Sequence, residues 1–228
     1  MRTEYHCHIL PGLDDGADSA ETSLGMISVM QEQGISRIVA TPHFYAHREH
    51  SAAQFLEKRQ AAFEMIRGRS PVPDIRLGAE IAVEHGISEL AGIEQLAFTG
   101  TNLILLELPY RAYSPWMSEE IHNIGAEFSL RVIIAHVHRC LAYYSKSEME
   151  SILSANVIFQ INNEAFRSWK ERRFVKALIA EGKPVIFGSD AHNLTDRRPN
   201  WELAARKCKA DILESSDSVL DRYTISSI

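Results

Sequence analysis

Cysteine is scarce: three in 228 residues, an odd number too small for a disulfide framework. None of Cys7, Cys140 and Cys208 stands six residues before an arginine. The C-x5-R loop of cysteine-dependent phosphatases is therefore absent. An excess of positive charge is missing too. Twenty-four Lys and Arg face thirty Asp and Glu, for a net charge of -6. That balance argues against a general binder of nucleic acid or anionic membranes, although clustered arginines can still build a local anion site. No apolar run approaches the ~18 residues of a membrane helix, and the chain opens directly into motif without an apolar signal-like segment. The expectation is a cytoplasmic protein with no membrane insertion. Glycine-rich phosphate loops and G-x-G-x-x-G fingerprints are absent, which weakens a nucleotide-binding sheet. No linker or low-complexity stretch interrupts the chain.

What is present reads as repeated strand-then-helix units. Apolar runs predict strands over 3–8, 36–41, 75–81, 103–107, 131–135, 157–161 and 184–188. Near-continuous apolar strands such as Leu103-Ile104-Leu105-Leu106 and Val132-Ile133-Ile134-Ala135 suit a parallel sheet covered by helices. Asp18-x-x-Glu21, Ser51-x-x-Gln54 and Ser147-x-x-Glu150 fit helix starts, and Gly34 and Gly182 fit helix ends. A hydrophobic fraction of 45% is ordinary for a globular protein, and the length fits one domain over 1–228. Seven alternating units point to a barrel or an open doubly wound sheet. In a parallel barrel, chemistry gathers at the C-terminal ends of the strands.

That placement rule organises the polar residues. His6 and His8 end the first strand and share one face, because strand side chains alternate; Cys7 faces the packing side. Asp14 and Asp15 follow. Thr41-Pro42-His43 ends the second strand, Glu80 the third and Glu107 the fourth. His136 ends the fifth, followed by His138 and Arg139, and Ser189-Asp190-Ala191-His192-Asn193 ends the seventh. Singly, each is an ordinary residue: a carboxylate at a strand end is usually solvated, and a lone histidine is usually structural. Together they mark a metal centre. Their number exceeds the needs of one tetrahedral zinc and suits two or three divalent ions sharing carboxylates, with Glu80 placed to bridge. Nitrogen and oxygen donors without thiolate favour manganese, iron or zinc. Adjacent ions of this kind activate water and clamp a phosphoryl oxygen.

Arg139 and Arg197 are candidates to hold a phosphate dianion, with Arg198, Arg48 and Arg111 also on loops. His47, His50, His85 and His122 fall outside the pattern. Trp116, Trp169 and Trp201 read as packing or pocket rim, without the basic-aromatic stripe of a single-strand nucleic-acid platform.

These residues resemble the PHP (polymerase and histidinol phosphatase) superfamily, and within it the bacterial metal-dependent protein-tyrosine phosphatases of capsule and exopolysaccharide loci. The segment from His6 to Gly16, Thr41-Pro42-His43, Gly78-Ala79-Glu80-Ile81, Glu107, Ile134-Ala135-His136 with Arg139, and Ser189 to Leu194 follow in the family's order across roughly residues 3–200. The resemblance implies a distorted (β/α)7 TIM-like barrel with a trinuclear centre, commonly activated by manganese, with iron, zinc or magnesium as alternatives. It implies one metal on His6, His8, Glu80 and Asp190. A second would take Glu80, Glu107 and His136, and a third Asp15, His43 and His192. Asp14 would support Asp15, and Arg139 and Arg197 match the phosphate-binding arginines. His136-Val137-His138-Arg139-Cys140 and Thr195-Asp196-Arg197-Arg198-Pro199 depart from the family's pattern around the substrate, not at the ligands.

The implied activity is hydrolysis of protein phosphotyrosine, with the catalytic roles on Asp190, Arg139 and Arg197. The implied partner is a bacterial tyrosine autokinase regulating capsular or exopolysaccharide synthesis. A small phosphate ester such as histidinol phosphate is the alternative substrate. An amidohydrolase would commonly need a lysine at a mid-barrel strand end, and Glu107 stands there instead. A scaffolding domain without turnover would have no need of every ligand position.

Overall fold

Residues 1–49, 51–69 and 74–225 are described by a computed structural model. Among them run nine strands: β1 (Arg2–Cys7), β2 (Ile35–Ala40), β3 (His43–Phe44), β4 (Asp74–Leu77), β5 (Glu80–Ala82), β6 (Leu103–Glu107), β7 (Arg131–Ile134), β8 (Ile158–Asn162) and β9 (Val185–Gly188). Every pairing between them is parallel, in a three-stranded sheet ordered β1-β2-β4 and a six-stranded sheet ordered β3-β5-β6-β7-β8-β9. Parallel neighbours require crossovers, and helices α1 (Ala20–Glu32), α2 (Ala52–Glu64), α3 (Pro115–Glu127), α4 (Lys146–Ser154) and α5 (Trp169–Ala180) supply most of them. Three short helices, α6 (Trp201–Lys207), α7 (Ala210–Asp217) and α8 (Val219–Arg222), close the described chain. The architecture is α/β with parallel sheets. Among the described residues no helix is long and apolar enough to cross a membrane.

The strand expected over 75–81 is two strands, and this is where the sheets part. Pro42 has no N–H to continue a ladder, so β2 stops at Ala40 and β3 begins at His43 in the other sheet. Opposite it, Gly78 and Ala79 interrupt the third run. A Cβ at Gly78 would lie 2.5 Å from the Phe98 ring, so the residue must be glycine for Phe98 to pack there. Glu80 therefore begins β5 instead of ending a single long strand. On the other side, the Asp190 N–H donates to His6 O at 2.7 Å and the His8 N–H to Ala191 O at 2.9 Å, seating the chain after β9 against the end of β1.

Alternation along the strands sorts the core into two buried clusters. Tyr5, Val39, Leu103, Leu105, Ile133, Ile158 and Ile186, from both sheets, pack together with Phe98, Val219 and Leu220. The alternate residues, among them Ile38, Ile104, Leu106, Ile134, Phe159 and Phe187, pack outward with helix residues such as Met26, Phe55, Ile124 and Leu178. Cys7 belongs to this outer set as expected, although Tyr5 two residues before it lies in the inner one; the register of β1 against β2 shifts between Glu4 and Cys7, which breaks the alternation there. The last helices cover the N-terminal ends of the strands: the Thr3 N–H donates to Asp217 Oδ1, and the Asn102 N–H to Tyr223 O. The C-terminal ends are left open for polar residues.

Helix starts and stops follow local chemistry. Ser51 caps α2 by accepting from the Gln54 N–H, and Gly34 and Gly182 sit just past α1 and α5 with φ of +84° and +70°. Two caps lie elsewhere than the sequence patterns suggest. Ser19 caps α1, one residue after Asp18, and Ser145 with Glu148 forms the capping box of α4, two residues before the expected pair. His50 lies outside the described residues.

Candidate metal centre

The strand ends converge. His6 lies in β1 and His8 one residue past it; both are fully buried, with Nε2 atoms 3.3 Å apart. Glu80, also fully buried, stands between several imidazoles. Its Oε2 is 3.1 Å from His6 Nε2, 3.4 Å from His8 Nε2 and 3.1 Å from His43 Nδ1, and its Oε1 is 2.8 Å from His136 Nε2. Asp190 Oδ1 lies 3.5 Å from His6 Nε2 and 3.3 Å from His8 Nε2. Asp15 Oδ1 is 3.4 Å from both His43 Nε2 and His192 Nε2. Glu107 Oε1 sits 3.5 Å from His136 Nε2. All nine residues expected as ligands meet at one end of the sheets.

Among the described residues, three sets of donor atoms lie close enough to share an ion: His6, His8, Glu80 and Asp190; His8, Asp15, His43 and His192; and His43, Glu80 and Glu107. The first reproduces the expected first group. The second adds His8 to the expected trio of Asp15, His43 and His192. In the third His43 stands where His136 was expected, with His136 bonded to Glu80 on the flank. The donors fit divalent cations on one further observation. Glu80 Oε2, His43 Nδ1 and His192 Nε2 are buried without a hydrogen-bond partner, a costly arrangement unless a cation completes it.

Backbone geometry is bent to the purpose. His136 and Asp190 have φ of +28° and +52°, in the left-handed region that residues other than glycine rarely enter. Each is held there by a hydrogen bond, from the His136 N–H to Gln160 Oε1 at 2.7 Å and from the Asp190 N–H to His6 O.

Supporting side chains complete the cluster. Asp14 Oδ2 is 2.7 Å from His8 Nδ1 and accepts the His43 N–H at 2.9 Å, while its Oδ1 accepts the Gly16 N–H. Asp14 thus orients the ligand candidates, whereas Asp15 reaches into the centre. Gln160 and Asn162 on β8, absent from the sequence expectations, link His6 to Asp190: Gln160 Oε1 is 3.1 Å from His6 Nδ1, Gln160 Nε2 donates to Asn162 Oδ1, and Asn162 Nδ2 donates to Asp190 Oδ2. Two amides alternating within the apolar run Ile158–Asn162 were the available signal. Glu4, fully buried, accepts from the His6 and Ser189 N–H groups and from Trp201 Nε1, tying β1, β9 and α6 together. Tyr110 brings its hydroxyl within 3.3 Å of His136 Nδ1.

Charges within the cluster hold one another. Burial by itself would lower the His6 and His8 imidazoles, yet the surrounding carboxylates, Glu80 and Asp190 for His6 and Asp14 first for His8, keep both above their ordinary values. Burial would raise Asp190 and Glu80, but the facing imidazoles, with Arg139 beside Asp190, hold both carboxyls well below theirs. Burial and the neighbouring Glu80 push Glu107 up. His192 falls to about 4 through burial and the nearby His8, so its ring is neutral near pH 7. A cation entering this cluster displaces protons from imidazole.

The two arginines arrive from opposite sides. Arg139, in a 3₁₀ turn over Val137–Ala142, places Nη2 2.9 Å from Asp190 Oδ2 and 2.7 Å from Glu164 Oε1. Arg197 places Nη2 3.3 Å from Asp190 Oδ1 and Nη1 3.4 Å from Asp15 Oδ2. Arg198 is exposed, and Arg48 stacks over Tyr45 and Arg111 over Trp116. His138 is buried beside the centre, with both ring nitrogens unpartnered. His47 pairs with Glu84, His85 stacks on Trp116, and His122 is exposed, all as expected of residues outside the site.

Comparison with known proteins gives this arrangement relatives. The tyrosine-protein phosphatase YwqE of Bacillus subtilis is 28% identical over 207 residues, which cover 85% of this chain and 78% of that protein. The crystal structures of YwqE and of CpsB from Streptococcus pneumoniae, metal-dependent tyrosine phosphatases, include a chain that superposes with a TM-score of 0.79. It is 22% identical, and the match covers 98% of this chain and 96% of that one. The lactonase Lmo2620 of Listeria monocytogenes shares the fold at a TM-score of 0.61 and 11% identity, covering 100% and 95%. The model of the capsular polysaccharide synthesis family CpsB/CapC matches residues 3–219, and the chain belongs to that family.

Proposed function

We propose that the chain is a metal-dependent protein-tyrosine phosphatase. The observation that carries this is the cluster of nine imidazole and carboxylate side chains with two guanidinium groups on its edge. Two to three divalent ions, manganese first and iron, zinc or magnesium as alternatives, would be held by His6, His8, Asp15, His43, Glu80, Glu107, His136, Asp190 and His192. Bound there, they supply Lewis acidity to the phosphoryl oxygens and bring water ionisation toward neutral pH. Glu80 would be shared between ions, having imidazoles against both of its oxygens.

The chain's own residues do the rest. Arg139 and Arg197 receive the phosphate dianion and neutralise charge that grows on the equatorial oxygens. Asp190 steers both guanidinium groups while presenting its other contacts to His6 and His8. Asp14 fixes the His8 ring, and Gln160 fixes that of His6. Tyrosinate leaves readily because the pKa of its conjugate acid is about 10, so a strong general acid is not demanded. The phosphoprotein would be a tyrosine autokinase acting in capsular or exopolysaccharide synthesis, met in the cytoplasm. The two sheets, joined through His6, His8, Asp190 and Ala191 and sharing one inner apolar cluster, support a distorted (β/α)7 barrel, and the outer cluster from Cys7 to Leu213 supports one domain over 1–228.

The test compares phosphate release from a phosphotyrosine peptide and from histidinol phosphate by the purified, manganese-loaded chain. A higher kcat/KM on the peptide is expected. A preference for histidinol phosphate would overturn the protein substrate in favour of a small ester.

A further inference from the structure

Helix α5 carries charge that the rest of the molecule leaves unanswered. Between Arg167 and Lys176 stand five cations, Arg167, Lys170, Arg172, Arg173 and Lys176, against the single acid Glu171, in a chain of net charge -6. Exposed cations elsewhere are divided: Lys58 pairs with Glu49, Arg67 with Glu64 and Arg69 with Glu21, whereas Arg198, Arg206, Lys207 and Lys209 pair with no carboxylate among the described residues. Among the described residues none of the five on or beside α5 makes an ion pair. Arg173 rests over the Trp169 ring, and Lys170 reaches only the Leu141 carbonyl.

This face meets the metal centre through a cavity of about 390 Å³, whose lining includes Tyr110, His138, Arg139, Tyr143 and Lys170 together with one acid, Glu171. Arg139 is common to both, standing 2.9 Å from Asp190. His138 belongs to the lining of that cavity, and both of its ring nitrogens are buried without a hydrogen-bond partner among the described residues. Two aromatic rings of the cavity wall, Tyr110 and Tyr143, have centres 5.1 Å apart, and Trp169, beside Lys170 in the chain, is 66% exposed.

We propose that the cavity beside Arg139 and the basic face of α5 dock an acidic flank of the phosphotyrosine protein. This rests on the phosphatase reading and adds a direction to it. The polypeptide leaves the centre past Tyr110 and Tyr143 and crosses α5, so carboxylates in that stretch of substrate meet Lys170 and Arg173. Such exposed complementarity acts on encounter and KM, and salt screens it.

The experiment measures kcat/KM for phosphotyrosine peptides that differ only in having acidic or neutral flanks, with p-nitrophenyl phosphate as reference. It uses the native chain and a Lys170→Glu, Arg173→Glu double variant at low and high salt. The acidic peptide is expected to be favoured by about tenfold, through KM, with the advantage lost at high salt and in the variant. Equal rates on both peptides, or a preference that survives both salt and charge reversal, would overturn the proposal. The salt series on the native chain decides the matter even if the variant does not fold. A native chain hydrolysing none of the three substrates would instead bring down the phosphatase reading itself.

Discussion

At the scale of single residues, the adjacent carboxylates Asp14 and Asp15 do different work. Asp14 is held down to about 2, against burial, by the His8 imidazole and by backbone N–H groups, and it sits on His8 Nδ1. It thereby keeps a proton on that nitrogen and leaves Nε2 facing Glu80 and Asp190. Asp14→Asn keeps the shape and removes the charge. Metal affinity is expected to fall by about 10- to 100-fold, read by titrating the metal-stripped protein, with the fold retained. Unchanged affinity would contradict the positioning role. The separation of the pair followed from the motif's resemblance to the family, since two adjacent carboxylates read alike in the sequence by themselves. Gln160 and Asn162 were not legible, since an amide in a buried strand reads as a packing irregularity until its partners across the site are known. His136 and His43 show the same boundary: their place beside strand junctions followed from pattern, whereas the donors each one faces depend on distances that pattern does not contain.

At the scale of elements, junctions matter more than interiors. Strand cores were readable because apolar β-branched runs between helices allow little else, but ends were set by single tertiary facts. Pro42 ends one ladder, Phe98 demands Gly78, and Ser145 takes the cap from Ser147 because Glu148 can reach back to its N–H. Another such junction ties α3 to the 3₁₀ turn at Ile87–Glu89. Glu120 on α3 accepts the N–H groups of Gly86 and Ser88 and the Ser88 hydroxyl. Burial would raise this carboxyl, but those donors hold it below its ordinary 4.5. A lowered folded value means the carboxylate's stabilisation is complete above the unfolded value and is lost as pH falls through the folded one. Glu120→Gln is therefore expected to cost about 1–3 kcal/mol at neutral pH, and the two proteins should converge in acid. Denaturant unfolding across that range measures it. A pH-independent difference would contradict the charge-based account.

At the scale of the whole molecule, the parallel arrangement brings the C-terminal ends of β1, β6, β7 and β9 together with the starts of β3 and β5, which is how residues from 6 to 197 come to share one cluster. The N-terminal ends are sealed by α7 and α8, with Tyr5 bonding to Ser216 and Leu220 and leaving that side to stability. The clustering was readable from the sequence through the strand-end rule, although His43 and Glu80, expected to end strands, begin β3 and β5. The division into two sheets was not, because it turns on hydrogen bonds between segments far apart in the chain. The central claim joins metal, site and substrate, and one titration tests all three. The chain is stripped with chelator, divalent manganese is added back stepwise, and bound metal is counted while phosphate release from a phosphotyrosine peptide is followed. The account predicts no release without metal and activity rising as two to three ions bind per chain. Full release from the stripped protein, or saturation with metal and no release, would contradict it.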